Sequence, residues 1–104
     1  MVAGLGDGRD VAVVFLHGEH DYGSRTLLER ELAPLGGTVV VDLSGCAFLD
    51  SSIIATILAK HAELERAGDH LEVIIPAAHE HLASLFDLLG LRALVRVRER
   101  FVFP

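Results

Sequence analysis

The chain is poor in several residue types that mark particular functions. Cysteine occurs once, at Cys46, so no internal disulfide is available and the sequence suits a reducing cytoplasm. Positive charge is scarce: nine Lys and Arg stand against fifteen Asp and Glu, for a formal net charge of −6. Nucleic-acid affinity rests on clustered cations, so this balance argues against a nucleic-acid binder. Lys60 is the only lysine, which reads as genomic base composition and not as function. No stretch approaches the roughly 18 uninterrupted apolar residues that a membrane-spanning helix needs. The opening MVAGLGDGRD lacks the basic-then-apolar pattern of an export signal. Neither a P-loop nor a G-x-G-x-x-G motif is present, so neither bound nucleotide nor any other cofactor is expected. Internal repeats, low-complexity tracts and linkers are missing too.

What remains is a globular composition. At 104 residues the chain fits one domain, residues 1–104, long enough to bury a core. A hydrophobic fraction of 51% and a mean hydropathy of +0.44 exclude a disordered chain.

Strands and helices alternate in the pattern. VAVVFLHGE, Val11 to Glu19, predicts a strand buried on both faces and stopped by Gly18. The GDG before it, Gly6 to Gly8, predicts a turn, with Val2 to Leu5 as a short edge strand in a hairpin. A first helix is expected from about Ser24, with Leu27, Leu28, Leu32 and Leu35 on one face and Pro34, Gly36 and Gly37 closing it. TVVVDLS predicts the next strand, and a second helix begins near Ser51 or Ser52. Its apolar stripe is Ile53, Ile54, Ile57, Leu58 and Leu64, with Lys60, Glu63, Glu65 and Arg66 left to solvent and Gly68 at the C-terminal cap. HLEVIIP predicts a third central strand ended by Pro76. A third helix from about Ala78 carries Leu82, Leu85, Phe86 and Leu89 at helical spacing, with Gly90 after it. In LVRVRERFVF, Val95 and Val97 alternate with arginines, the pattern of a half-exposed edge strand.

This order predicts an α/β fold: a mostly parallel central sheet of four to five strands with alternating helices and right-handed crossovers. Function in such sheets gathers at the carboxyl ends of strands. Here those are the segments GEHDYGS (Gly18 to Ser24), SGCAFLDSS (Ser44 to Ser52) and PAAHEH (Pro76 to His81), read as loops.

Several chemistries can be weighed there. A serine hydrolase would place its nucleophile on a G-x-S-x-G elbow; Ser52 stands near a strand-to-helix junction with His79 or His81 on a neighbouring loop, but Asp50 and Ile54 occupy the glycine positions. The His79–Glu80–His81 cluster invites a metal, yet i, i+2 spacing at a helix start turns two rings apart, and His17 and His20 show no ligand spacing. These histidines read better as solvated surface groups, and Cys46 reads better as a small apolar loop residue than as a nucleophile. Asp42, at the end of a central strand, sits where receiver domains carry their phosphoaspartate. Glu19 and Asp21 could imitate the acidic pair, but no lysine follows Lys60. DSS, Asp50 to Ser52, is explained by capping alone, because Asp and Ser oxygens accept from a helix's free N–H groups.

Taken together, the motifs resemble the STAS domain of anti-sigma factor antagonists and of the cytoplasmic parts of sulfate transporters. GEHD (Gly18 to Asp21) is similar to the family's G-E-L-D, DLS (Asp42 to Ser44) to its strand end, and FLDSS (Phe48 to Ser52) to the segment opening its second helix. LASLFDLLGL is similar to its leucine-rich third helix. The resemblance spans nearly the whole chain. It implies a non-enzymatic, cytoplasmic bacterial protein that regulates transcription by binding an anti-sigma factor with serine kinase activity. It also implies phosphorylation at Ser52 as the off switch, and a partner surface of Asp21, Asp50, Ser51, Ser52 and Ile53, with a homodimer left open. One position departs: the family's glycine after the acceptor is Ile53, a β-branched side chain expected to narrow access to Ser52. The runner-up is a scaffold subunit of a stress-sensing complex, and the rival from another class is a small hydrolase using Ser52 with His79 or His81.

Overall fold

The computed structural model describes residues 2–6, 10–20, 25–76, 79–91 and 95–98. Five strands and three helices follow one another: β1 (Val2–Gly6), β2 (Asp10–His20), α1 (Arg25–Leu32), β3 (Thr38–Leu49), α2 (Ser51–Arg66), β4 (His70–Ile74), α3 (Glu80–Leu88) and β5 (Arg96–Arg98). They form one sheet whose spatial order is the chain order. β1 pairs antiparallel with β2, as the hairpin expectation required, and β2 to β5 run parallel.

A sheet that adds each new strand on the same side, through right-handed crossovers, collects its helices on one face. The main core shows this. Val14, Leu16, Val39, Val41, Leu43, Leu71 and Val73 from the strands, with Ile75 just past β4, join Leu28, Leu32, Ile53, Ile57, Leu64, Leu82 and Phe86 from the three helices. Alternation along the strands turns Val13, Val40 and Ile74 to the opposite face, where they form a smaller buried cluster with Phe15. Both faces of β2 and β3 are therefore apolar at their centres, which is why their sequences read as continuous hydrophobic runs, whereas β4 sets the buried Glu72 beside Ile74 on the second face.

The helix ends follow their residues. Asp50 is the N-cap of α2. At the other end Gly68 takes φ +80°, its amide donating to Glu65 O at 3.1 Å and the Asp69 amide to Leu64 O at 2.8 Å. This is a Schellman closure, which a residue with a Cβ would strain. Gly90 closes α3 with φ +68°.

Five expectations need correction. β2 does not stop at Gly18: it continues to His20, paired with β3 through register shifts at Phe15/His17 and Gly18/Glu19. Glycine inside a strand marks a bulge as readily as a stop, and parallel pairing carried the chain past it. β3 correspondingly runs to Leu49, so Ser44 to Leu49 is strand, not loop. Leu27 is 61% exposed, because the α1 stripe facing the core is Leu28 and Leu32 with Leu35 behind them. Lys60 is only 4% exposed, its stem packed between α1 and α2 and its ammonium turned to Ala33 O at 3.5 Å and Glu63 Oε1 at 3.2 Å. The α3 stripe is Leu82 and Phe86; Leu89, half exposed, lies beyond the helix end.

Candidate functional site

The site grows from the end of β3. His20 pairs with Leu49, so the carboxyl ends of β2 and β3 lie side by side, and α2 starts two residues after Leu49. Asp21, the next residue on from β2, lies outside the described residues.

Asp50 organises the turn. With φ −77° and ψ 153° it is extended, and its Oδ1 accepts the Ser52 amide at 2.7 Å. Its carbonyl accepts the amides of Ile53 at 3.0 Å and Ile54 at 3.2 Å. Ser52 holds the Asp50 carboxyl below its ordinary value, first through the nearby hydroxyl and then through the amide, against a smaller opposing effect of burial. The amide is the bond with defined geometry. The hydroxyl stands close enough to favour the carboxylate, yet Ser52 Oγ is sealed from solvent and meets no partner in hydrogen-bond alignment.

The three residues after the cap face three ways. Ser51 is exposed, Ser52 is half-buried, and Ile53 is fully buried. Ile53 is therefore a core residue: its side chain offers nothing to a partner and adds no bulk outside Ser52. The helical phase explains this, since Ile53 starts the α2 stripe continued by Ile57 and Leu64. One turn on, Thr56 Oγ1 donates to Ser52 O at 2.9 Å and ties the turn from below.

Further contacts brace β3 where β4 no longer flanks it. β4 pairs with β3 only as far as Asp42–Ile74. Past that point, His79 Nε2 donates to Cys46 O at 2.6 Å, joining the start of α3 to the bare stretch of β3. Asp42 Oδ1 accepts the Ser44 amide at 2.8 Å and its hydroxyl at 2.5 Å. Ser44, Pro76, His79, Glu80 and His81 line a shallow depression beside this brace.

Sequence reasoning weighed His79 as a metal ligand or a base, whereas its position gives it a bracing bond. Cys46 is buried as expected for a small apolar residue, but in a strand and not a loop. The partner of His79 is a backbone carbonyl 33 positions away, which no local pattern announces. His79 is bonded to Cys46 O and Ser52 Oγ to nothing, so the pairing of nucleophile and base that a hydrolase needs is not formed. Among the described residues, no group of three or more His, Cys, Asp or Glu is placed to hold a metal ion.

Comparison with known proteins fits this arrangement. A family model described as "Mlab, STAS domain" matches residues 4–96. No curated protein matches the sequence at a significant level. Two solved structures share the fold. The anti-sigma factor antagonist SpoIIAA in its unphosphorylated form superposes with a TM-score of 0.70 at 16% identity, over 97% of this chain and 90% of that one. The Bacillus cell fate determinant SpoIIAA in the phosphorylated form gives 0.66 at 19% identity, over 93% and 90%.

Proposed function

Since the chain belongs to the STAS domain family, we propose that it acts by binding a partner protein, as an anti-sigma factor antagonist released by phosphorylation of Ser52. The partner is an anti-sigma factor with serine kinase activity, and both proteins are cytoplasmic. No helix among the described residues is long and apolar enough to cross a membrane, in keeping with that reading. The observation that carries the proposal is the Asp50–Ser51–Ser52 turn, set at the start of α2 where the carboxyl ends of β2 and β3 meet. The partner meets Asp50 and Ser51 there, together with Asp21.

Magnitudes favour a switch of binding over a switch of fold. Phosphate adds about −1.5 to −2 charges at neutral pH. At a helix N-terminus the free N–H groups and the dipole favour an anion by about 0.3–1 kcal/mol, and the nearby Asp50 carboxylate opposes that gain. Folding is thus little changed. In an interface fitted to a neutral hydroxyl, the same charge costs several kcal/mol, and about 1.4 kcal/mol is already a tenfold loss of affinity.

The test uses the anti-sigma factor kinase from the source cell. Ser52→Asp is expected to keep its fold and bind at least tenfold more weakly, while Ser52→Ala binds and is not released by ATP. Labelling that persists in Ser52→Ala moves the acceptor to Ser51. Tight binding with no phosphate transfer to either serine is the behaviour of a scaffold subunit and overturns the switch.

A further inference from the structure

Among the described residues, two buried side-chain polar atoms lack a hydrogen-bond partner: His61 Nδ1 and Ser52 Oγ. His61 lies 4.0 Å from the Glu65 carboxylate, an ion pair whenever the ring is protonated. Ser52 Oγ has the Asp50 carboxylate nearby, but not in hydrogen-bond alignment. A buried hydroxyl without a partner destabilises the native state, and native structures keep few of them. This one sits on the residue proposed above as phosphoacceptor, beside the exposed Ser51.

Phosphoryl transfer depends on placing the acceptor oxygen in line with the donor phosphate. An oxygen sealed from solvent cannot be placed there. We propose that the resting fold keeps Ser52 closed to a kinase, and that release of the first turn of α2 from the Asp50 cap is the step that opens it. The inference rests on Ser52 being the acceptor. Asp50 is the latch because three amides converge on it: that of Ser52 on its carboxylate, those of Ile53 and Ile54 on its carbonyl. The carboxylate bond is the one a side-chain substitution removes. Opening loses these bonds but relieves the orphaned hydroxyl, so the turn is poised nearer to opening than a fully satisfied one. Ile53 and Ile57, both buried, anchor the helix below, so the release stays local.

Accessibility can be read without any partner. Cys46 is the only cysteine, so in a Cys46→Ala background the thiols of Ser52→Cys and Ser51→Cys are unique targets for N-ethylmaleimide. The Ser51→Cys thiol is expected to react at the rate of a free thiol and the Ser52→Cys thiol at least tenfold more slowly. Adding Asp50→Ala is expected to bring the two rates within threefold. If Cys46→Ala does not fold, the same comparison is made with Cys46 present, the label being assigned by mass spectrometry. Equal rates at the two positions overturn the proposal, as does a ratio that Asp50→Ala leaves unchanged. Because this measurement does not involve the anti-sigma factor, the latch can fail while the binding switch stands, and the reverse.

Discussion

At the scale of single residues, Asp50 has a pH signature. Its folded-state pKa lies below the ordinary value of 3.8, first because of the Ser52 hydroxyl and then because of the Ser52 amide. A depressed carboxyl stabilises the native state above its unfolded value, and the contribution is lost as pH falls through the folded-state value. Asp50→Asn retains a capping oxygen but does not titrate. Its acid unfolding curve should be shallower than wild type below about pH 4 and nearly parallel at neutral pH, as followed by circular dichroism. Lys60 shows the opposite relation between residue type and place. A lone lysine on a helix reads as solvated, yet here its stem fills the seam between α1 and α2 and its ammonium reaches the carbonyl end of α1. Burial of the stem with a satisfied head explains how so polar a residue stands in the core.

At the scale of elements, β5 is held by charge as much as by its ladder. Glu72 on β4 is 5% exposed, and Arg96 Nη1 at 3.3 Å and Arg98 Nε at 3.2 Å both reach its Oε1. Glu72 stands opposite Arg96 in register and diagonal to Arg98. Hydrogen bonds to a charged group contribute about 1.5–3 kcal/mol, so Glu72→Ala should destabilise by about that amount in urea unfolding. The loss should concentrate at β5: the Ile75 amide, which donates to Arg98 O at 2.8 Å, should exchange faster with solvent than amides of β3. Arg96→Ala should cost less, because Arg98 still meets the carboxylate. The arginines alternating with Val95 and Val97 were legible as an edge strand. Their shared carboxylate was not, since Glu72 lies 24 positions before Arg96 and only the parallel register brings them together.

At the scale of the whole molecule, one main core spans all three helices and four strands, so its largest residue should act globally. Phe86, in the last turn of α3, is 2% exposed. Truncating a buried phenylalanine costs about 3–5 kcal/mol, against a total of about 5–15 kcal/mol for a domain of ordinary stability. Phe86→Ala is expected to shift the urea midpoint sharply downward with the slope of the transition unchanged, and loss at α3 alone would show that the core is not one unit.

Alternation of apolar runs with helical stripes, glycines at helix ends and the DSS start of α2 determined the architecture from sequence, because each depends on neighbours a few residues apart. The mostly parallel sheet followed from the same pattern. Tertiary structure decided the rest. Whether Gly18 ended β2 or bent it depended on pairing with β3, a partner distant in the chain. Whether Lys60 was wet depended on where α1 ended. Ile53 and Ser52 are adjacent in sequence, but the phase of α2 against the sheet sends one into the core and seals the oxygen of the other. That sealing, on which access to the site turns, is a property of packing that no local pattern encodes.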